Sequence, residues 1–336
     1  MLGLGVMVFL TTLLITCTIV LISINKNTRN MKKIIVSTGI IVLIILVIKI
    51  ISPARPLQFS IDPGIRIQSA SNPIAYQIDG KLYLKYQVAG ENKNAIAITE
   101  NETDFSKSNL ASNNFHTSIT LPDGTYRTYY FDMTDKVLLS ESSVDGKTYS
   151  LDEGVRYTPA VEDNGFMGVF TFFVDNDGGV VLLYNNSDLE NPDEVVVRRA
   201  YSLPGDNGEN FELENFDVLD FHDVPDVDDG FRDPDAIVLP NGNIRLIVMH
   251  EGSKIKAPLG QTGVLYSFIS TDGGKSFELE SNDLVSWDDF TEFEVRALND
   301  PKIVQLADGR FRIYVAAMIT QEDGSVEYSI VSLTSK

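Results

Sequence analysis

Cysteine is nearly absent from this chain: one in 336 residues, Cys17, inside an apolar run at the start. Residues 56–336 therefore hold no disulfide, and their stability must come from core burial, which about 280 residues can supply. No cysteine follows the second apolar run, so no lipid-anchor acceptor is expected there. Histidine is scarce too. His116, His222 and His250 do not form a zinc-type spacing. Basic residues are few after the start. Residues 56–336 carry 21 Lys and Arg against 47 Asp and Glu, a net charge of −26. That balance disfavours nucleic acid and anionic lipid surfaces as partners. Helical periodicity is almost missing after residue 55, where short β-rich runs alternate with Gly, Asp, Asn and Pro.

The start is different. Residues 1–24 are apolar without a charge, and residues 34–52 are apolar except for Lys49. Each is long enough to cross a bilayer core of about 30 Å. The loop between them carries Lys26, Arg29, Lys32 and Lys33, and the positive-inside rule places it in the cytoplasm. Read from Met31, the second segment alone resembles an export signal or an uncleaved signal anchor. Both starts, Met1 and Met31, put the rest of the chain outside. The expectation is a membrane anchor at 1–55, with one or two transmembrane helices, and an extracytoplasmic domain at 56–336.

That domain carries a repeat. IDGKLYLKYQ (78–87), LPDGTYRTYYF (121–131), DNDGGVVLLYN (175–185), LPNGNIRLIVM (239–249) and LADGRFRIYVA (306–316) each join an Asp-Gly, Asn-Gly or similar turn to a β-type run. Such turns supply the positive φ angles of tight hairpins. The copies lie 43, 54, 64 and 67 residues apart, close to one four-stranded sheet each, which predicts an all-β, five-bladed β-propeller. Blades are expected near 68–110, 111–158, 159–215, 229–285 and 295–336. The last has only three strand-like runs, at 302–307, 310–318 and 325–333. Residues 57–67 are free to lend it a fourth.

STDGGKSF (270–277) and, more loosely, SVDGKTY (143–149) resemble the Asp-box turns of sialidases, implying a structural role on outer blade edges. Sialidases themselves use six blades, and the arginine set that they need to clamp a carboxylate is not readable here. Two inner-strand positions carry acids: Arg232-Asp233-Pro234 and Asn299-Asp300-Pro301, with each Asp nine residues before its hairpin glycine. These motifs resemble those of the five-bladed glycosidase superfamily of arabinanases, invertases and levansucrases. The resemblance implies a carbohydrate ligand in an axial funnel and two carboxyl groups across a glycosidic bond, one acid and one base or nucleophile. Asp233 then matches the transition-state-stabilising acid, Asp300 the base or nucleophile, and Glu251 the acid. Arg232, Asn72, His116 and Asn299 are the candidate sugar-binding residues.

The sequence departs from that pattern in blade one, where Ser71-Asn72-Pro73 stands at the place of the family's first catalytic Asp. Phe115-His116-Thr117 in blade two has no acid, and Glu162 and Asp163 in blade three have no clear alignment to the pocket. Three functions stay open: a glycoside hydrolase, a non-catalytic surface propeller that binds glycan or protein, and an accessory domain of a membrane complex. DVPDVDDG (223–230) is rich in oxygen ligands suited to Ca²⁺, without the spacing of a calcium loop. It reads first as an exposed acidic loop. Two glycosylation sequons, at 101–103 and 185–187, matter only in a host that glycosylates.

Overall fold

The computed structural model describes residues 57–336, apart from 92, 100, 102, 109–116, 189–193, 220, 223, 225–226, 228 and 252–261. The two apolar segments and His116 lie outside the described residues. No described helix is long and apolar enough to cross a membrane.

The fold is a five-bladed β-propeller of four-stranded antiparallel sheets. Blade 1 holds β2 (Ala70–Ile78), β3 (Lys81–Val88), β4 (Asn94–Thr99) and β5 (Ser106–Lys107). Blade 2 holds β6 (Thr117–Thr120), β7 (Tyr126–Asp132), β8 (Val137–Ser143) and β9 (Ser150–Leu151). Blade 3 holds β10 (Phe170–Val174), β11 (Val180–Ser187), β12 (Val195–Ser202) and β13 (Glu212–Asn215). Blade 4 holds β14 (Arg232–Val238), β15 (Ile244–His250), β16 (Val264–Ser270) and β17 (Glu278–Ser286). Blade 5 holds β18 (Val295–Gln305), β19 (Phe311–Thr320), β20 (Val326–Ser335) and, from the start of the propeller, β1 (Phe59–Ile61). The innermost strands β2, β6, β10, β14 and β18 contact one another in a closed ring.

All five repeated phrases form the hairpin between the first two strands of a blade. Only the first is a two-residue turn, with Asp79 and Gly80 both at positive φ (52° and 72°). The other four are three-residue loops. Leu239 N–H, for example, donates to Asn243 O at 2.8 Å, and Gly242 alone takes a positive φ, 84°. Strand alternation fades in the middle of each blade because neighbouring blades cover both faces. Every residue of β15 is buried. Interblade cores follow: Leu183 and Phe173 of blade 3 pack with Leu246 and Phe231 of blade 4, and Ile247 and Leu265 of blade 4 with Ile313 and Val315 of blade 5.

Several charges inside these sheets are paired, as low-dielectric surroundings favour. Three blades repeat one lock. Arg127, Arg245 and Arg312 stand three residues after the hairpin glycine on the second strand. They pair with Asp152 (3.2 Å), Glu280 (2.6 Å) and Asp62 (3.2 Å) at the outer edge. Each acid also accepts a third-strand serine: Ser140 (2.6 Å), Ser267 (2.7 Å) and Ser332 (2.6 Å). Both Asp-boxes are turns of the expected kind. Asp272 accepts from Lys275 N (3.0 Å) and Ser276 N (3.1 Å), and Asp145 from Lys147 N and Thr148 N (both 2.8 Å). A side chain at Gly274 would strike Phe173 of the preceding blade, and one at Gly146 would strike Ile78.

The ring closes as the sequence suggests. Phe59 pairs with Ser335 and Ile61 with Leu333. Leu57, Phe59, Ile61 and Ile65 pack on the blade 5 core. Blade 5 begins at 295 as expected, but its first strand starts there too, at Val295 rather than 302, because a bulge between Asn299 and Lys302 interrupts the β18 ladder without ending it. Deleting 57–67 removes these apolar contacts and leaves Arg312 without its carboxylate, a loss of roughly 5 kcal/mol or more. Thermal melts followed by Trp287, the sole tryptophan, should show the transition far lower or no longer cooperative. A deletion variant that melts like the parent would refute this closure.

Candidate functional site

The same irregularity recurs on three inner strands. Register shifts fall between Ser71 and Ile74, Arg232 and Asp235, and Asn299 and Lys302. Inside each shift sits a left-handed residue followed by proline: Asn72 (φ 49°), Asp233 (φ 54°) and Asp300 (φ 52°). Asn and Asp tolerate that region best among side-chain-bearing residues, but a following proline favours extended backbone. Each position thus stores strain of about 1–3 kcal/mol, a cost typical of functional positions. Asn72 lies eight residues before its glycine, not nine, because its hairpin is the two-residue one. The three positions are equivalent.

An axial cavity of about 440 Å³ opens between the inner strands, with Asn72, Asp300 and Lys302 on its wall. Asp233 is the next layer. Its Oδ2 accepts the backbone N–H of Asp300 at 3.1 Å. Both Asp residues are half-buried, and Asp300 is the one that faces the cavity. Burial, with the charge of Asp233 added, pushes Asp300 up to about 7 against the pull of Lys302. Burial also raises Asp233, against the Asp300 N–H and Lys302, which favour its charge, while Glu251 raises it further. Burial raises the phenol of Tyr328, and the charges of Asp300, Glu251 and Asp233 raise it further.

Solved structures share this architecture. An α-L-arabinofuranosidase from Podospora anserina, in complex with cellotriose, is 12% identical, with 84% of this chain and 95% of that one covered at a TM-score of 0.54. A thermostable family-43 glycoside hydrolase is 12% identical, covering 82% and 92% at a TM-score of 0.58. An endo-arabinase from Bacteroides thetaiotaomicron is 13% identical, covering 80% and 96% at a TM-score of 0.56. The fold is that of the five-bladed glycoside hydrolases. No protein-family model and no curated protein sequence matches the chain.

Within this propeller the expected site residues separate. Asp233 and Asp300 come together, and Asn72 joins Asp300 on the cavity wall. Arg232 does not line the cavity. It is held by Asp229 (3.1 Å) and lies 3.7 Å from Glu251. Glu251 is half-exposed beside it. Asn299, next to Asp300, has its side-chain oxygen buried without a hydrogen-bond partner among the described residues. Of the acidic run at 223–230, Asp229 is described. It binds Arg232 and His250 Nε2 (3.0 Å), and no described cluster has the makeup of a metal site. Asp163 belongs to the fold. It is fully buried against Arg198, Tyr184 OH (2.8 Å) and Asn186 (3.0 Å).

The sequence reading missed a second layer of the same site. The residues directly after the two prolines, Asp235 and Lys302, occupy matching places in adjacent blades and pair at 3.4 Å. Asp235 also accepts Thr171 Oγ1 of blade 3 (3.0 Å) and the backbone N–H of Ile303 (2.8 Å). This chain fixes the inner strands of blades 3, 4 and 5 relative to one another and holds Lys302 beside Asp300. Aligning DPD with DPK shows in the sequence that the two positions match, but not that they pair.

Proposed function

We propose that this chain is a glycoside-hydrolase-like protein acting on a carbohydrate in its axial pocket. The observation that carries the reading is the pair of strained Asp-Pro bulges, which bring two carboxyl groups to the axis where Asp300 lines the cavity. A carboxyl near 7 exchanges a proton readily at neutral pH, the property needed of a general acid or base. Asp300 is therefore the acid–base group. Asp233, bonded to the Asp300 backbone, tunes it and offsets positive charge developing on a sugar. Glu251 is the candidate for the second carboxyl that hydrolysis needs across the bond. The apolar segments at 1–24 and 34–52 hold the chain at the membrane with the propeller outside. Protease digestion of the propeller in intact cells tests that placement.

One observation favours a second reading. Asn72 fills the third bulge with a group that is neither acid nor base, which suits a propeller that binds sugar without cleaving it. Incubating the full-length chain with a panel of glycosides and polysaccharides, with and without Ca²⁺, decides between them. Sugar release that disappears in Asp300→Asn supports the hydrolase. Binding without release supports the binder, and neither release nor binding sinks both.

A further inference from the structure

The axial cavity has two unlike sides, with its charged groups confined to one of them. Blades 1 and 5 contribute Asn72, Asp300 and Lys302, all capable of bonding hydroxyl groups, beside the apolar Pro73 and Ile74. Blades 2 and 3 contribute Tyr130, Phe131, Met167 and Phe170, with Phe166 at the lip, 45% exposed. Thr117 is the other hydroxyl on that side, and it donates to the carbonyl of Phe170 at 3.3 Å.

A sugar carries hydroxyls around its whole rim. Pressed against the blade 2–3 wall, whose side-chain polar groups are the Tyr130 phenol and the Thr117 hydroxyl, most would lose water and find no partner, which costs binding energy. A single aromatic ring is enough to cover one face of a sugar, and this wall is much broader than that. Further apolar residues stand on the neighbouring loops. The loop that joins β7 to β8 meets the loop at 160–166, where Lys136 Nζ reaches Asn164 O at 3.5 Å. These two loops carry Met133, 66% exposed, and Val161, 91% exposed. Single exposed apolar residues are ordinary. Here they stand on the same two loops that flank the apolar side of the cavity.

We propose that the ligand is a glycoside with an apolar aglycone, aryl or alkyl, which lies on the blade 2–3 wall while the sugar meets Asn72, Asp300 and Lys302. This rests on the carbohydrate reading above and narrows it to a class. Calorimetric titration of the full-length chain in lipid nanodiscs tests it, using the methyl, phenyl and hexyl glycosides of arabinose, xylose and glucose. For the sugar that binds, the phenyl or hexyl form should bind at least tenfold tighter than the methyl form. Phe166→Ala should erase most of that difference and leave the methyl glycoside unchanged; because Phe166 is half-exposed, the variant should fold, as Trp287 fluorescence would verify. A preference for phenyl over hexyl identifies an aryl group, and the reverse an alkyl chain. Equal affinity for methyl, phenyl and hexyl forms overturns this inference and leaves the carbohydrate reading standing. No binding by any glycoside overturns both.

Discussion

Replacing Asp300 with asparagine should raise thermal stability at pH 8 and, under the hydrolase proposal, abolish sugar release. The acid is pushed up to about 7 by burial and by Asp233, against about 3.9 in an unfolded chain. Below about pH 4 it is protonated in both states and costs nothing. Between about 4 and 7 the folded protein keeps a proton that the unfolded chain has lost, so stability falls as pH rises. Above 7 the whole cost applies, at most on the order of 4 kcal/mol and less where the funnel admits water. Asparagine keeps the shape, drops the charge and suits the left-handed bulge, as Asn72 shows at φ 49° in the matching place before a proline. Trp287 melts from pH 4 to 8 should show a flatter slope in the variant and a midpoint several degrees higher at pH 8. Lower stability with retained activity would mean that Asp300 only caps its strand.

Asp163→Ala should act in the opposite direction and more strongly. The carboxylate is enclosed with Arg198, whose other nitrogens already serve Phe216 O (2.8 Å) and Ser187 O (3.1 Å). Removing one partner of a buried pair strands the other charge and costs about 3–5 kcal/mol, which lowers the midpoint by about 10 °C in a domain of this size. Adding Arg198→Met should recover part of the loss, because no charge is then stranded. A double variant no more stable than Asp163→Ala would show that the damage comes from Tyr184, Asn186 and the loop at 160–166. That loop carries Phe166 to the cavity lip, so methyl glycoside affinity should change less than phenyl or hexyl affinity.

The hairpin glycines made the propeller legible, since positive φ has few sequence solutions and five copies fix the blade count. Ring closure followed from a missing strand in blade 5. The pair Asp233 and Asp300 was readable because proline marks the bulge at a constant distance from the turn. What stayed hidden depends on neighbours in space. Asp235 and Lys302 pair only once blades 4 and 5 lie side by side. Asp163 gives no sign in sequence that Arg198, 35 positions away, encloses it. The apolar cavity wall comes from blades 2 and 3, which enter the axis without an Asn-Pro or Asp-Pro mark, so inspection of those marks passed over Phe131, Phe166 and Phe170. The Gly-x-x-Arg spacing of the interstrand locks was present three times, but arginine in a strand reads as solvent-facing until its acid is known.

The pairing of β1 with β20 also orders events in time. Phe59 waits for Ser335 and Ile61 for Leu333, partners more than 270 positions later in synthesis. Blades 1 to 4 consist of consecutive strands and can form as they emerge. The last sheet cannot be completed until β20 exists, and until then β1 has an unpaired edge. Contacts of such long range slow folding, so the final step falls after synthesis of nearly the entire propeller. A chain interrupted before residue 326 would keep four blades' worth of local structure with an open seam, a form exposed to proteases and to strand exchange with a second copy.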